Sequence, residues 1–207
     1  MKKVVLATGN PGKLHELRAL LMDTGIDVSP QDAYGVKPIE ESASSFRDNA
    51  LLKARHAARV SGLPAIADDS GLEVDALNGA PGVYSARYAG EGASDAANLK
   101  KLLYELRQVP AAKRTARFRC IVAFVRDAGD SAPVICEASW DGRILEEPRG
   151  RNGFGYDPVF LVPEINMSSA ELSPSDKNQL SHRGQALRKL LQELTLLEGR
   201  QWQKYAP

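Results

Sequence analysis

The sequence predicts an α/β fold built on a mixed β-sheet. Short apolar runs bounded by Gly and Pro interleave with longer segments carrying a helical apolar period, and one helix has a face made almost wholly of alanine. Lys2 to Ala7 reads as the first strand, Thr8-Gly9-Asn10-Pro11-Gly12-Lys13 as a Gly-rich loop, and Leu14, Leu17, Leu20 and Leu21 as the stripe of the first helix. A second helix begins near Ser44 or Ser45, where Ala50, Ala54, Ala57 and Ala58 make a small face suited to close packing on a sheet. Pro64 to Ala67 reads as a buried strand between Gly62 and Gly71, and Gly71 to Leu77 as another. Ser94 caps a helix to Leu106, and the strands Phe118 to Val125 and Val134 to Ser139 form a hairpin across Asp127 to Pro133. The last helix carries Leu187, Leu190, Leu191, Leu194 and Leu197, with Ser181 as its N-cap.

Composition narrows the function. A chain of 207 residues without a Pro/Ser/Gly-rich or charged linker is expected to be one domain, or two close lobes, over residues 1–207. Its net charge of +1 argues against a broad nucleic-acid footprint, so cations clustered in motifs are better read as a local pocket. Val4 to Ala7 is too short for a signal peptide and no run could span a bilayer, which gives a cytoplasmic protein without a membrane partner as the expectation. Cys120 and Cys136 fall in strands as small core residues with reduced thiols, and no zinc spacing is present.

The segment richest in chemistry is Asp68-Asp69, which follows the run Pro64-Ala65-Ile66-Ala67 and precedes Ser70-Gly71. Adjacent carboxylates where a strand leaves the core repel each other unless something positive joins them. Successive strand side chains point to opposite faces, so one acid can hold backbone or metal while the other faces a cleft. A solvated Asp-Asp turn is the alternative. Three other segments supply cations and amides. Strand, Gly loop and helix at Thr8–Lys13 form a phosphate-binding layout, with Asn10 and Lys13 beside free N–H groups. It is not a Walker A loop, because two residues separate Gly9 from Gly12 and Leu14 follows Lys13. Asn49 and Lys53, four apart, share a helix face with Glu40 and Glu41 just upstream, although a snorkelling surface lysine would look the same. Gly150 to Pro158 is a Gly-rich loop presenting Phe154 and Tyr156, either as a stacking platform for a ring or as anchors of a long hairpin. His182 and Arg183 lie at a helix N-terminus, where cations oppose the dipole unless an anion or an electron-rich base edge is bound.

Taken in order, Thr8-Gly9-Asn10 with Lys13, Glu41, Phe46 with Asn49-Ala50 and Lys53-Ala54, Ala67 to Leu72, Gly79 to Arg87, Gly153 to Pro158, Lys177 and Ser181 to Gly184 resemble the inosine triphosphate pyrophosphatase family, most closely its bacterial branch. The resemblance covers nearly the whole chain. Two departures are Ser45, where Thr is expected before Phe46, and Arg151-Asn152, where smaller residues usually lead the aromatic loop.

The resemblance implies an elongated mixed sheet with flanking helices, two lobes around a central active-site cleft, a homodimer and a Mg²⁺ cofactor. It implies hydrolysis of the purine nucleoside triphosphates ITP, dITP and XTP to monophosphate and pyrophosphate. It makes Asp69, Lys13 and Lys53 catalytic, and Asp69, Glu41 and Asp68 the metal set. Thr8, Gly9, Asn10, Lys13, Lys53 and Ser70 would meet the phosphates, and Phe154, Gly155, Tyr156, Asp157, Lys177, His182 and Arg183 the base. A related pyrophosphatase for modified pyrimidines and a non-catalytic nucleotide sensor are the rivals.

Overall fold

The computed structural model describes residues 2–22, 24–41 and 43–198. Its strands are β1 (Lys2–Leu6), β2 (Ile26–Pro30), β3 (Ala65–Val74), β4 (Thr115–Val125), β5 (Val134–Ile144), β6 (Phe160–Val162) and β7 (Met167–Ser168). The helices are α1 (Pro11–Leu21), α2 (Phe46–Ser61), α3 (Asp95–Leu106), α4 (Pro174–Leu180) and α5 (His182–Glu198). The strands join one sheet in the order β2-β1-β3-β4-β5-β6-β7. β1 runs parallel to both β2 and β3, while β5, β6 and β7 pair antiparallel, so the sheet is mixed as the sequence predicts. Among the described residues no helix is long and apolar enough to cross a membrane.

Two compact units divide the chain, which passes from one to the other after Asp69, Cys120, Glu137 and His182. Unit 1 holds β1, β2, α1, α2, the first half of β3, the second half of β4 and α5 from Arg183. Val4, Val5, Leu6, Ile66 and Ile121 to Val125 are buried in it, with Leu17 and Leu21 of α1 and Leu187, Leu190 and Leu194 of α5. Ala50, Ala54, Ala57 and Ala58 are all at least 97% buried, which is the close helix–sheet packing that an alanine face allows. Ser45 caps α2 by accepting from Asp48 N, so the shorter Ser does the capping work expected of Thr, worth about 1 kcal/mol.

Unit 2 has an aromatic core. Phe118 on β4 and Trp140 on β5 pack on Phe160, with ring centroids 4.4 and 5.2 Å away, beside Leu72, Leu102, Leu106, Tyr156 and Val159. β5 alternates cleanly: Cys136, Ala138, Trp140 and Ile144 face inward, while Glu137, Ser139, Asp141 and Arg143 face water. Arg114 is 96% buried because its guanidinium donates to the carbonyls of Leu106, Val109 and Leu145, closing the C-terminal end of α3.

Two expected boundaries move. α1 begins at Pro11, so Pro11, Gly12 and Lys13 form its first turn and are not loop; proline suits that position because it has no N–H to leave unpaired. β3 is continuous where two strands were expected. Gly71 keeps an ordinary strand conformation, and the buried acids before it have cationic partners, so nothing forces the chain out of the core at Asp68. The helix α4, closed by Ser181, was not read from the sequence. Cys120 and Cys136 are buried free thiols, as expected.

The turn between β4 and β5 rests on Asp130, which is 4% exposed and accepts from Arg126 N, Nε and Nη2 and from Ala132 N, while Arg55 of α2 donates to its carbonyl. Burial pushes this carboxyl up, but Arg126 and the backbone donors outweigh it and hold it down at about 2. A carboxylate depressed in the folded state contributes stability above its unfolded value of about 3.9, and that contribution fades as pH falls toward 2. Asp130→Ala is therefore expected to lower unfolding free energy by about 2 kcal/mol at pH 7. Urea titrations should show the gap to wild type narrowing between pH 5 and pH 3; a constant gap would mean that the carboxylate charge is not what the turn uses.

Candidate active site

The parallel register of β1 and β3 brings the first motif to the acids. Leu6 lies opposite Ile66, so the residues that follow β1 are delivered beside Asp68 and Asp69. Thr8 Oγ1 accepts from Asn10 N at 3.2 Å, and Asn10 Oδ1 caps α1 by accepting from Lys13 N at 3.0 Å. Lys13 then stands on the first turn of α1 with Nζ 3.1 Å from Asp68 Oδ2.

Strand alternation divides the two acids. Asp68 is fully buried, and its Oδ2 also receives Arg183 Nε and Nη2 at 3.2 and 3.3 Å. Asp69, 4% exposed, receives Lys53 Nζ at 3.1 Å, and the same ammonium reaches Glu41 Oε1 at 2.7 Å. The solvated turn is thus excluded. Lys53 is not a snorkelling lysine either, since two carboxylates hold its head. Asn49 plays a different part from the one its spacing suggested. It is fully buried and both its amide atoms bind the backbone of Ala43, fixing the segment that carries Glu41.

The charges separate the acids further. Burial alone would push Asp68 up, but Lys13, Arg183 and Lys53 hold it well below the usual carboxylate range, so it stays ionised. Asp69 shifts the other way: burial raises it, Glu41 adds to the rise, and Lys53 and Lys13 only partly offset this. Burial lowers the affinity of Lys53 for its proton, but Asp69, Asp68 and Glu41 more than reverse that. Two neighbouring carboxylates pushed apart in this way are suited to a fixed charge and a proton acceptor.

Among the described residues no three His, Cys, Asp or Glu side chains converge into a metal cage. The expected trio of Asp69, Glu41 and Asp68 is not gathered, because Asp68 faces Lys13 and Arg183 while Asp69 and Glu41 share Lys53. Asp69 Oδ2 is buried with no hydrogen-bond partner among the described residues. An unsatisfied carboxylate oxygen beside a second carboxylate fits a hard divalent cation that takes one or two protein oxygens and the rest from phosphate and water.

Unit 2 holds the aromatic motif. Gly153, at φ +76°, lets Asp157 fold back beneath the loop; a Cβ there would sit 2.1 Å from Asp157 Oδ2. Gly150, at φ +80°, lies against the Ala170 backbone, where a Cβ would come within 2.3 Å. Arg151 N and Asn152 N both donate to Ala170 O, so the unusual residues leading this loop pin it through their backbone. Asp157 is 97% buried and accepts from Phe154 N at 2.9 Å, Ser169 Oγ at 2.9 Å and Lys177 Nζ at 2.5 Å. Lys177 Nζ lies 4.9 Å from the centroid of the half-buried Phe154 ring. Gly155 N donates to Asp95 Oδ2 at 2.7 Å, and the buried Tyr156 donates its hydroxyl to Ser85 O at 2.8 Å. His182 stacks on Phe118 with centroids 4.8 Å apart.

The predicted residues therefore fall into two sets. Thr8, Gly9, Asn10, Lys13, Glu41, Lys53, Asp68, Asp69 and Arg183 belong to unit 1, and Ser70, Phe154, Gly155, Tyr156, Asp157, Lys177 and His182 to unit 2. Arg183, which the resemblance puts at the base edge, is held in unit 1. Its guanidinium is engaged by Asp68 and, at 2.5 Å, by Glu16 of α1. Sequence reading missed Glu16, Asp95 and Ser169. It quoted Ser85 within Gly79–Arg87 without a role, yet Ser85 Oγ accepts from Leu72 N and donates to Gly82 O, bracing β3 just past the acids.

The Asp157–Lys177 pair generates a stability test. Lys177→Met leaves a buried carboxylate without its cation and should lower unfolding free energy by about 3 kcal/mol. Adding Asp157→Asn should recover part of that loss; additive losses in the double-mutant cycle would show that the pair is not coupled.

The profile of the Ham1 family matches residues 4–193. A protein named dITP/XTP pyrophosphatase from Vibrio parahaemolyticus is 57% identical over 195 residues, covering 94% of this chain and 98% of its own. One of the same name from Thioalkalivibrio sulfidiphilus is 59% identical over 192 residues, covering 93% and 98%. The solved structure of a HAM1 protein from Coxiella burnetii superposes with a TM-score of 0.87 at 51% identity, over 94% of this chain and 99% of that one. Matched along nearly its full length in sequence and in fold, the chain belongs to the Ham1 family.

Proposed function

We propose that this chain hydrolyses the non-standard purine nucleoside triphosphates ITP, dITP and XTP to monophosphate and pyrophosphate, removing them from the nucleotide pool. The observation that carries this reading is the buried Asp68-Asp69 pair with a lysine on each acid, beside the loop that follows β1. The relatives named dITP/XTP pyrophosphatase support it.

A triphosphate brings about four negative charges, so phosphorus is approachable by water only once they are balanced. Lys13 and Lys53 supply two cations, and Thr8, Gly9, Asn10 and Ser70 would offer polar contacts to the phosphates. Asp68 stays ionised between Lys13 and Arg183 and fixes where those cations stand. Asp69 accepts the proton of the attacking water. The water oxygen bonds to the α-phosphorus as the bond to the bridging oxygen breaks, and that electron pair leaves with pyrophosphate. Asp69 and Glu41 would hold Mg²⁺, which when bound neutralises phosphate charge as a Lewis acid.

Phe154 stacks on the base, with Gly155 and Tyr156 shaping the loop, and Asp157, Lys177 and His182 present polar edges. Hypoxanthine and xanthine carry an oxygen at C6 where adenine carries an amine. Fixed donors accept the former and are left unpaired by the latter, which can separate substrates by up to ~10⁴-fold. The reading also includes a homodimer in the cytoplasm. Elution at twice the 22.5 kDa of the chain checks the dimer.

Pyrophosphate release over ITP, dITP, XTP, ATP, GTP, CTP and UTP tests the function directly. High kcat/KM is expected for the first three and low values for the rest; a preference for pyrimidines, or no turnover, would contradict the reading. Asp69→Asn should lose at least ~10²-fold in kcat while nucleotide still binds. Excess EDTA should abolish activity and added Mg²⁺ restore it. Since the guanidinium of Arg183 is engaged by Asp68 and Glu16, Arg183→Ala is expected to lower kcat/KM for ITP and ATP alike. A fall confined to ITP would instead put Arg183 at the base edge, as the resemblance implies.

A further inference from the structure

Gln31 is the first residue after β2, and it is 92% buried, yet its carboxamide makes no hydrogen bond among the described residues. Neither amide atom is fully buried, so an otherwise enclosed side chain keeps its polar tip open to solvent and available to a ligand. Its surroundings show what that tip faces. A Cβ on Gly9 would lie 3.7 Å from Gln31 Nε2 and 3.7 Å from Pro38 Cγ, so the amide nitrogen stands against the loop that joins β1 to α1, with an apolar wall beside it. Neither Gly9 nor Gly12 commits its N–H to another described residue, and the N-terminal end of the eleven-residue α1 opens on the same loop. Donors therefore gather there: two backbone N–H groups, the helix end and the Gln31 carboxamide.

The sheet order says which phosphates they face. β1 lies between β2 and β3, so Gln31, just past the end of β2, and Asp69, on β3, flank the loop after β1 from opposite sides. If Asp69 takes the water proton, the α-phosphorus lies on the β3 side, and the leaving group extends toward β2. Resting on the pyrophosphatase reading given above, the geometry points to Gln31 as a substrate-binding residue that donates through Nε2 to an oxygen of the terminal phosphates, the part that departs as pyrophosphate. Proline at position 38 leaves that donor without a competing N–H beside it.

Product inhibition separates this role from simple packing. Gln31→Met keeps length and burial while removing the donor, and Gln31→Glu keeps shape while adding a negative charge. Wild type and both variants are compared for kcat/KM on ITP and for inhibition by inorganic pyrophosphate and by IMP, with melting temperature recorded for each. For Gln31→Met a loss of ~10-fold in kcat/KM and a comparable rise in the pyrophosphate inhibition constant are expected, with the IMP constant and the ITP-to-ATP ratio unchanged. Gln31→Glu should lose more on the same two readouts, again sparing IMP, so either variant suffices if the other fails to fold. Wild-type pyrophosphate inhibition in the folded variants, or an equal weakening of IMP, overturns the assignment. A wild-type protein that releases no pyrophosphate from ITP overturns the pyrophosphatase reading instead, which keeps the two failures distinct.

Discussion

Two adjacent carboxylates sit inside the sheet, and much of unit 1 is organised around making that tolerable. A buried unpaired charge is so costly that it would neutralise or force the chain outward. Here β3 continues straight through Asp68 and Asp69 because each face supplies its own cation: Lys13 and Arg183 on one side, Lys53 on the other. Those cations come from the first turn of α1, the first turn of α5 and the middle of α2. Three helices are thereby tied to one dipeptide. Remote contacts serve the same end, as Asn49 fixes Ala43 so that Glu41 can meet Lys53, and Glu16 holds the far side of Arg183.

Unit 2 uses one carboxylate in a comparable way. Asp157 gathers Phe154 N, Ser169 and Lys177, which sets the aromatic ring and the ammonium near each other. The loop reaches this shape only because Gly150 and Gly153 admit contacts that any Cβ would block. Tyr156 and Gly155 then fasten it to Ser85 and Asp95. A loop held at so many points is already ordered before any ligand arrives, which reduces the entropy lost on binding.

What could be read from sequence follows the range of the forces involved. Local period and capping located α1, α2, α3 and α5 and both cysteine strands to within a few residues. Strand alternation foresaw that Asp68 and Asp69 would serve different faces. The continuity of β3 was not legible, because Gly71 and the acids before it look like punctuation until the cations that neutralise them are placed, and those come from positions 13, 53 and 183. The same long range hid Glu16, Asp95 and Ser169, which carry no local signature. Asn49 was found as a residue but read by spacing alone, and its contacts with Ala43 gave it another part; the contacts of Arg183 with Asp68 and Glu16 were likewise out of reach of any local pattern.

The division of labour between the two acids is best tested by the stability of the single Asn variants, measured side by side in urea at neutral pH. Asp68 is held ionised by its cations, so Asp68→Asn should destabilise the fold, leaving Lys13 and Arg183 facing a neutral amide. Asp69 is raised by burial, so its charge is a net cost to folding, and Asp69→Asn should be neutral or stabilising, as expected where function requires a strained group. Equal destabilisation by both substitutions, or the reverse order, would contradict the account.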